Sequence, residues 1–83
     1  MYYKRLRDLR EDHDLKQKHI SAILKISRSQ YSLYETGKRS IPVDLLVILA
    51  KYYNTSIDYI VGLTNLPTRY PSKTEKSTNI DKK

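Results

Sequence analysis

Between positions 28 and 33 the sequence sets a guanidinium (Arg28), two hydroxyls (Ser29 and Ser32), a carboxamide (Gln30) and one aliphatic side chain (Leu33) close together. The chemistry such a set supports is hydrogen bonding to planar polar edges. An arginine can make two bonds to the O6/N7 edge of guanine, a glutamine can do the same with adenine, serine is permissive, and an aliphatic group can meet a thymine methyl. To act on base edges these groups must ride on an element that fits a groove about 12 Å wide. The surrounding charge has the right sign. From Lys16 to Arg39 there are six basic residues (Lys16, Lys18, Lys25, Arg28, Lys38, Arg39) and one acid, Glu35. The first fifteen residues, by contrast, balance four basic residues against four acids. The chain-wide surplus of +7 is therefore local, and with a pI near 9.7 it points to a polyanionic partner.

Other chemistries find less to work with. The chain has no cysteine, so it offers neither a disulfide framework nor a thiolate metal site, which fits a reducing, cytoplasmic setting. His13 and His19 flank a helix boundary at a spacing that matches no metal-ligand pattern. No nucleophile–base pair, carboxylate dyad or phosphate-binding glycine loop is present, so an enzyme is not expected, and no cofactor is implied. No apolar run is long enough for a membrane span, and Met1 is followed by polar, charged sequence rather than a signal peptide. A soluble, unexported protein is the expectation. Eight tyrosines are the whole aromatic content. Tyr31, Tyr34 and Tyr53 fall at core-facing positions, whereas Tyr2, Tyr3, Tyr52 and Tyr59 do not declare their place and include candidates for a dimer contact.

The elements that must position these residues read as short helices. Tyr2, Leu6, Leu9 and His13 form one helical stripe, with Lys4, Arg5, Asp8, Glu11 and Asp12 facing outward. After Asp14, with Leu15 tucked inward, a second helix is predicted over Gln17 to Leu24, burying Ile20, Ile23 and Leu24. Lys25, Ile26 and Ser27 make a tight turn, and Ser27 is a good N-cap for a third helix from Arg28 to Glu35. Tyr31 and Tyr34 face inward on that helix, and Gly37 stands where a helix ends in a left-handed residue. Pro42 suits the entrance of a fourth helix. This one is apolar nearly throughout (Val43, Leu45, Leu46, Ile48, Leu49, Ala50, Tyr53) and is expected at the centre, contacted from several sides. Asn54 closes it. Ser56 caps a short last helix with Asp58 in its first turn, Ile57, Ile60 and Val61 on its buried side, and Gly62 at its end.

From Thr64 the texture changes. The remaining twenty residues hold two of the three prolines, few aliphatics, and five basic residues against two acids. Too little surface is there to offset the entropy of ordering. The expectation is an all-α fold of five helices over residues 1–63 and a disordered basic tail over residues 64–83.

Two short helices joined by a tight turn, the second rich in polar groups, form the helix-turn-helix pattern. At Leu9-Arg10, Gln17, Ile26-Ser27, Ser32 with Glu35, Gly37-Lys38-Arg39, Pro42 and Ser56-Ile57-Asp58, the chain resembles the phage repressor/Cro-type helix-turn-helix family, also called the xenobiotic-response-element type. The resemblance covers roughly residues 3–63. It implies a lambda-repressor-like domain that binds double-stranded DNA and regulates transcription as a repressor; because a single short module makes few contacts, a homodimer on an inverted-repeat operator is expected. The resemblance places base contacts at Arg28, Ser29 and Leu33, to which the side-chain chemistry adds Gln30 and Ser32, and phosphate contacts at Gln17, Lys38 and Arg39, with Lys16 and Ser27 expected to join them. It also implies an ion pair of Arg10 with Glu35, tying the first helix to the reading helix. Three positions depart from the family's habit. Lys25 stands where a turn glycine is common, so it must adopt a left-handed conformation at some cost or use another turn. Leu33 replaces a commonly polar reader, and Ser21 replaces an alanine. A second reading stays open: an adaptor of the same fold that binds another protein, as an antitoxin does.

Overall fold

A computed structural model describes residues 2–67. The expected tail over residues 68–83 lies outside the described residues. Five helices follow one another with no strand among the described residues: α1 (Lys4–Asp12), α2 (Gln17–Leu24), α3 (Arg28–Glu35), α4 (Val43–Tyr52) and α5 (Ile57–Val61).

Local chemistry sets the ends of these helices. The Ser27 hydroxyl accepts the Gln30 backbone N–H at 3.0 Å, and the Ser56 hydroxyl accepts that of Tyr59 at the same distance, so α3 and α5 each start on a serine cap. At the start of α2, Nδ1 of His19 accepts the Lys16 backbone N–H at 3.0 Å, the place a glutamate usually takes in a capping box, while the Lys16 side chain, a donor only, cannot supply the other half. Gly37 (φ 81°) and Gly62 (φ 89°) turn the chain out of α3 and α5 through the left-handed region. Asp14 and Asn54, residue types that tolerate this region, do so at two other junctions. Lys25 does it without such help (φ 59°, ψ 42°), and so keeps the turn glycine's conformation with a side chain that disfavours it. A Cβ on Gly37 would also lie 2.8 Å from Cβ of Tyr2 and 2.9 Å from its Cα, so the N-terminal segment closes over this turn.

The helices meet in one core. Leu6 and Leu9 of α1, Ile20 and Leu24 of α2, Tyr31 and Tyr34 of α3, Leu46 and Leu49 of α4 and Ile60 of α5 are all buried in a single cluster. α2 packs chiefly on α3, α1 touches α3 and α5, and α4 packs on α5. Burying these apolar side chains, at roughly 1.5–3 kcal/mol each, is what holds five helices too short to persist alone.

Three expectations need correction. Tyr2 lies ahead of α1 and is exposed, and Tyr3 packs against the core in its place; His13, the last of the expected stripe, caps α1 in an exposed position with its ring 5.0 Å from that of Tyr53. Arg5 does not face outward. Its guanidinium lies 4.0 Å over the Tyr59 ring and donates to the Tyr59 carbonyl at 2.8 Å, to the Thr64 carbonyl, and to Oδ1 of Asn65 at 2.7 Å. Finally, α4 is not enclosed on several sides: Val43, Val47, Ile48 and Tyr52 are exposed. Its apolar content reflects two faces, of which the core covers one.

The first residues assigned to the tail are held in place. Besides the Arg5 bonds to 64 and 65, the Thr55 hydroxyl donates to the Pro67 carbonyl at 2.6 Å.

Candidate nucleic-acid interface

The polar residues of α3 lie where the burial of its tyrosines puts them. Tyr31 and Tyr34, three apart, turn one face into the core, which leaves Arg28 and Ser29 exposed at the N-terminal end and Ser32 and Leu33 half-buried beside them. Exposed Ser27 precedes them. Its Oγ spends a lone pair on the cap and keeps its O–H to donate. Exposed Lys16 stands at the start of α2, which packs on α3. On the other side of α3, exposed Lys38 and Arg39 follow Gly37, and the Arg39 backbone N–H donates to the Leu33 carbonyl at 3.1 Å, folding the basic loop back onto the helix.

Two of the expected DNA contacts, one to a base and one to a phosphate, carry internal bonds. Gln30 is half-buried and its Nε2 donates to the Tyr34 hydroxyl at 3.0 Å, satisfying a buried phenol. Only its carbonyl and second N–H remain to be offered outward. Gln17 likewise donates from Nε2 to Oε2 of Glu35 at 3.0 Å.

Gln17 thereby joins the network that fixes the angle of α3. Arg10 Nε donates to Oε1 of Glu35 at 2.8 Å, Arg10 Nη2 to Oε2 at 3.1 Å, and Arg10 Nη1 to the Leu15 carbonyl at 2.8 Å. The two side chains are 14% and 4% exposed, so this pair lies in a largely desolvated seam between the end of α3, the last turn of α1 and the start of α2. Burial opposes the charge on Glu35, yet the hydrogen bonds from Arg10 and Gln17 outweigh it and hold the carboxyl below the ordinary carboxylate range. The hydrogen bond to Glu35 correspondingly raises Arg10. Burial pushes the Tyr31 and Tyr53 hydroxyls up, and both lack a hydrogen-bond partner among the described residues; that of Tyr31 lies near Glu35 but outside bonding geometry. No group of three His, Asp or Glu able to hold a metal occurs among the described residues, and no described helix is long and apolar enough to cross a membrane.

Arg5 is the structurally important residue that sequence reasoning missed. Its acceptors lie 54 to 60 positions away, and no spacing signal connects residues so far apart. By type and order alone, Arg5 belongs with the solvated charges of α1.

A sequence model of the helix-turn-helix family matches residues 6–60. Over 67 residues the chain is 45% identical to an uncharacterized HTH-type transcriptional regulator, YobD, of Bacillus subtilis (strain 168), a stretch covering 81% of this chain and 60% of that protein. It is 39% identical over 62 residues to the antitoxin PezA of Streptococcus pneumoniae serotype 4, covering 75% of this chain and 39% of PezA. It is 29% identical over 83 residues to the cryptic phage CTXphi transcriptional repressor RstR of Vibrio cholerae, covering 98% of this chain and 75% of RstR. The chain thus spans less than two thirds of the length of YobD and of PezA. No solved structure gives a significant match.

Proposed function

The chain belongs to the phage repressor/Cro-type helix-turn-helix family of DNA-binding transcriptional regulators, and from that premise we propose that it is a sequence-specific repressor that binds its operator in the cytoplasm by laying α3 in the major groove. The observation that carries this reading is the division of α3 into two faces. Tyr31 and Tyr34 are buried, while Arg28 and Ser29 stand exposed at the end that would enter the groove. Arg28 then reads guanine, and Ser29, Ser32 and Leu33 line the same base edges. Gln30 reads adenine only with the bonding capacity left over from Tyr34.

Phosphates are met on both flanks: by Lys16, Ser27 and the outer N–H of Gln17 on one side, and by Lys38 and Arg39 on the other. Such contacts fix register and orientation without carrying sequence information. Repression, rather than activation, is supported by the likeness to RstR. A homodimer on an inverted repeat follows from the small footprint of a single reading helix.

The experiment is selection of bound sites from a random duplex library. It is expected to return inverted repeats with half-sites about one helical turn, ~34–36 Å, apart. Recovery of no enriched sequence would overturn the reading. The likeness to the antitoxin PezA favours the second reading, in which the domain serves a partner protein. Under it, binding to DNA would show neither sequence preference nor the steep salt dependence that several phosphate contacts impose.

A further inference from the structure

The outward face of α4 has a pattern that its core face does not explain. Successive turns present Val43 and Asp44, then Val47 and Ile48, then Lys51 and Tyr52, all exposed. At about 100° per residue these six span one half of the helix, while Leu46, Leu49 and Ala50 fill the half turned to the core. The four exposed apolar side chains are large, and neither the Asp44 carboxylate nor the Lys51 ammonium has an ion-pair or hydrogen-bond partner among the described residues. The two charges stand seven positions apart, ~10 Å along the axis, too far to neutralise each other within one helix.

The order of these residues is self-complementary under a two-fold rotation. When the helix is laid antiparallel against a copy of itself, Val43 faces Tyr52, Asp44 faces Lys51 and Val47 faces Ile48, each pair occurring twice about a centre between positions 47 and 48. Two unlike-charge pairs then flank the apolar Val47–Ile48 centre of the contact, and slipping the register by one turn removes them. We propose that this face of α4 pairs with α4 of a second copy of the chain, in that antiparallel register, and that this contact is the two-fold of the operator-bound dimer. The partner is thus a second copy, because the face offers to itself both the apolar surface and the opposite charge that it lacks.

The pairing leaves the reading helix untouched, since α3 packs on α2 and α1 and its exposed residues are elsewhere. It also adjoins a groove of about 290 Å³ closed on its far side by Ile57 and Asp58 of α5, which extends the surface beyond α4 itself. A contact centred on one helix of 10 residues, about 15 Å long, falls in the size class of weak assemblies, below ~1,200 Å² in total. The free protein is therefore expected to associate weakly, and DNA to strengthen the association by holding two copies side by side.

The inference rests on the reading of the chain as a two-fold operator binder, and the experiment separates the two. Sedimentation of the full chain without DNA, up to the millimolar range, measures self-association of the wild type, Asp44→Lys, Lys51→Asp and the double exchange. Circular dichroism melts confirm that these exposed substitutions leave the domain folded. Each single change sets like charges against each other and is expected to weaken association at least about tenfold, with the double exchange restoring it. Val47→Glu is expected to weaken it as well. A wild type that stays monomeric, single changes without effect, or a double exchange as weak as the singles would each overturn the proposal. Binding to one half-site on duplex DNA should be equal in all variants. If even the wild type fails there, the DNA-binding reading falls while the sedimentation result still judges α4.

Discussion

Arg10 in α1 and Glu35 at the end of α3 share two hydrogen bonds, of 2.8 and 3.1 Å, across 25 positions of sequence. The guanidinium also holds the Leu15 carbonyl, and the carboxylate also holds Gln17. One ion pair therefore braces α3 against both helices that precede it, and the orientation of the reading helix depends on two residues assigned no contact with DNA.

Removing either partner leaves an unpaired charge in a desolvated seam. Arg10→Met and Glu35→Leu are each expected to cost about 3–5 kcal/mol, far more than an exposed pair, and the double variant less than the sum of the two. In a domain whose total stability is on the order of 5 kcal/mol, Glu35→Leu would abolish DNA binding by unfolding. Thermal melts decide it: single changes costing under about 1 kcal/mol would mean that the pair braces nothing.

The same carboxylate sets an acid limit. Its folded pKa lies below its unfolded value, so its contribution is complete above the unfolded value, about 4.3, and is lost as the pH falls through the folded one. Wild-type stability is expected to fall steeply as the pH drops below about 4. Glu35→Gln, less stable at neutral pH, should lose less over the same interval. Parallel melts from pH 7 to pH 2 test this, and identical slopes for the two proteins would contradict it.

Arg28 and the basic loop should fail in different ways. Arg28→Ala is expected to cost about 1–3 kcal/mol on the selected site and to flatten preference at one base position per half-site. Lys38→Ala and Arg39→Ala should weaken binding to all sequences alike, each making the salt slope shallower by about one unit. An Arg28 variant that lost affinity equally on cognate and random duplex would not be a reader.

Lys25 offers a stabilising change. It holds a left-handed conformation (φ 59°) that disfavours any residue with a Cβ, and its side chain is exposed. Lys25→Gly removes that strain at the cost of a more flexible unfolded chain, for an expected net gain of about 0.5–1 kcal/mol. A denaturant midpoint that stayed or fell would show that the turn is not strained.

Arg5 should behave as a clamp on the exit from α5. Arg5→Met is expected to cost about 1–3 kcal/mol and to speed amide exchange over 62–66, because the stacking on Tyr59 and the bonds to Tyr59, Thr64 and Asn65 go together. Arg5→Lys should not restore protection, since an ammonium lacks the planar fork that serves three acceptors while stacking. Full rescue by lysine would reduce the interaction to charge alone.

Features governed by local energetics are legible in the chain alone. The bounds of α2 and α3 follow from Ser27, the turn at Lys25 and Gly37, and the inward side of α3 follows from Tyr31 and Tyr34, because caps, left-handed turns and helical periodicity each act within a few residues. The direction of Arg5 and the enclosure of α4 were settled only by the tertiary structure. Arg5 reads as a solvated charge until α5 and the segment after it arrive from the far end of the chain. In α4, apolar residues occupy both faces, so periodicity cannot tell the face that the core covers from the face that it leaves open. Which residues a helix buries depends on what packs against it, and that is decided by residues distant in the chain.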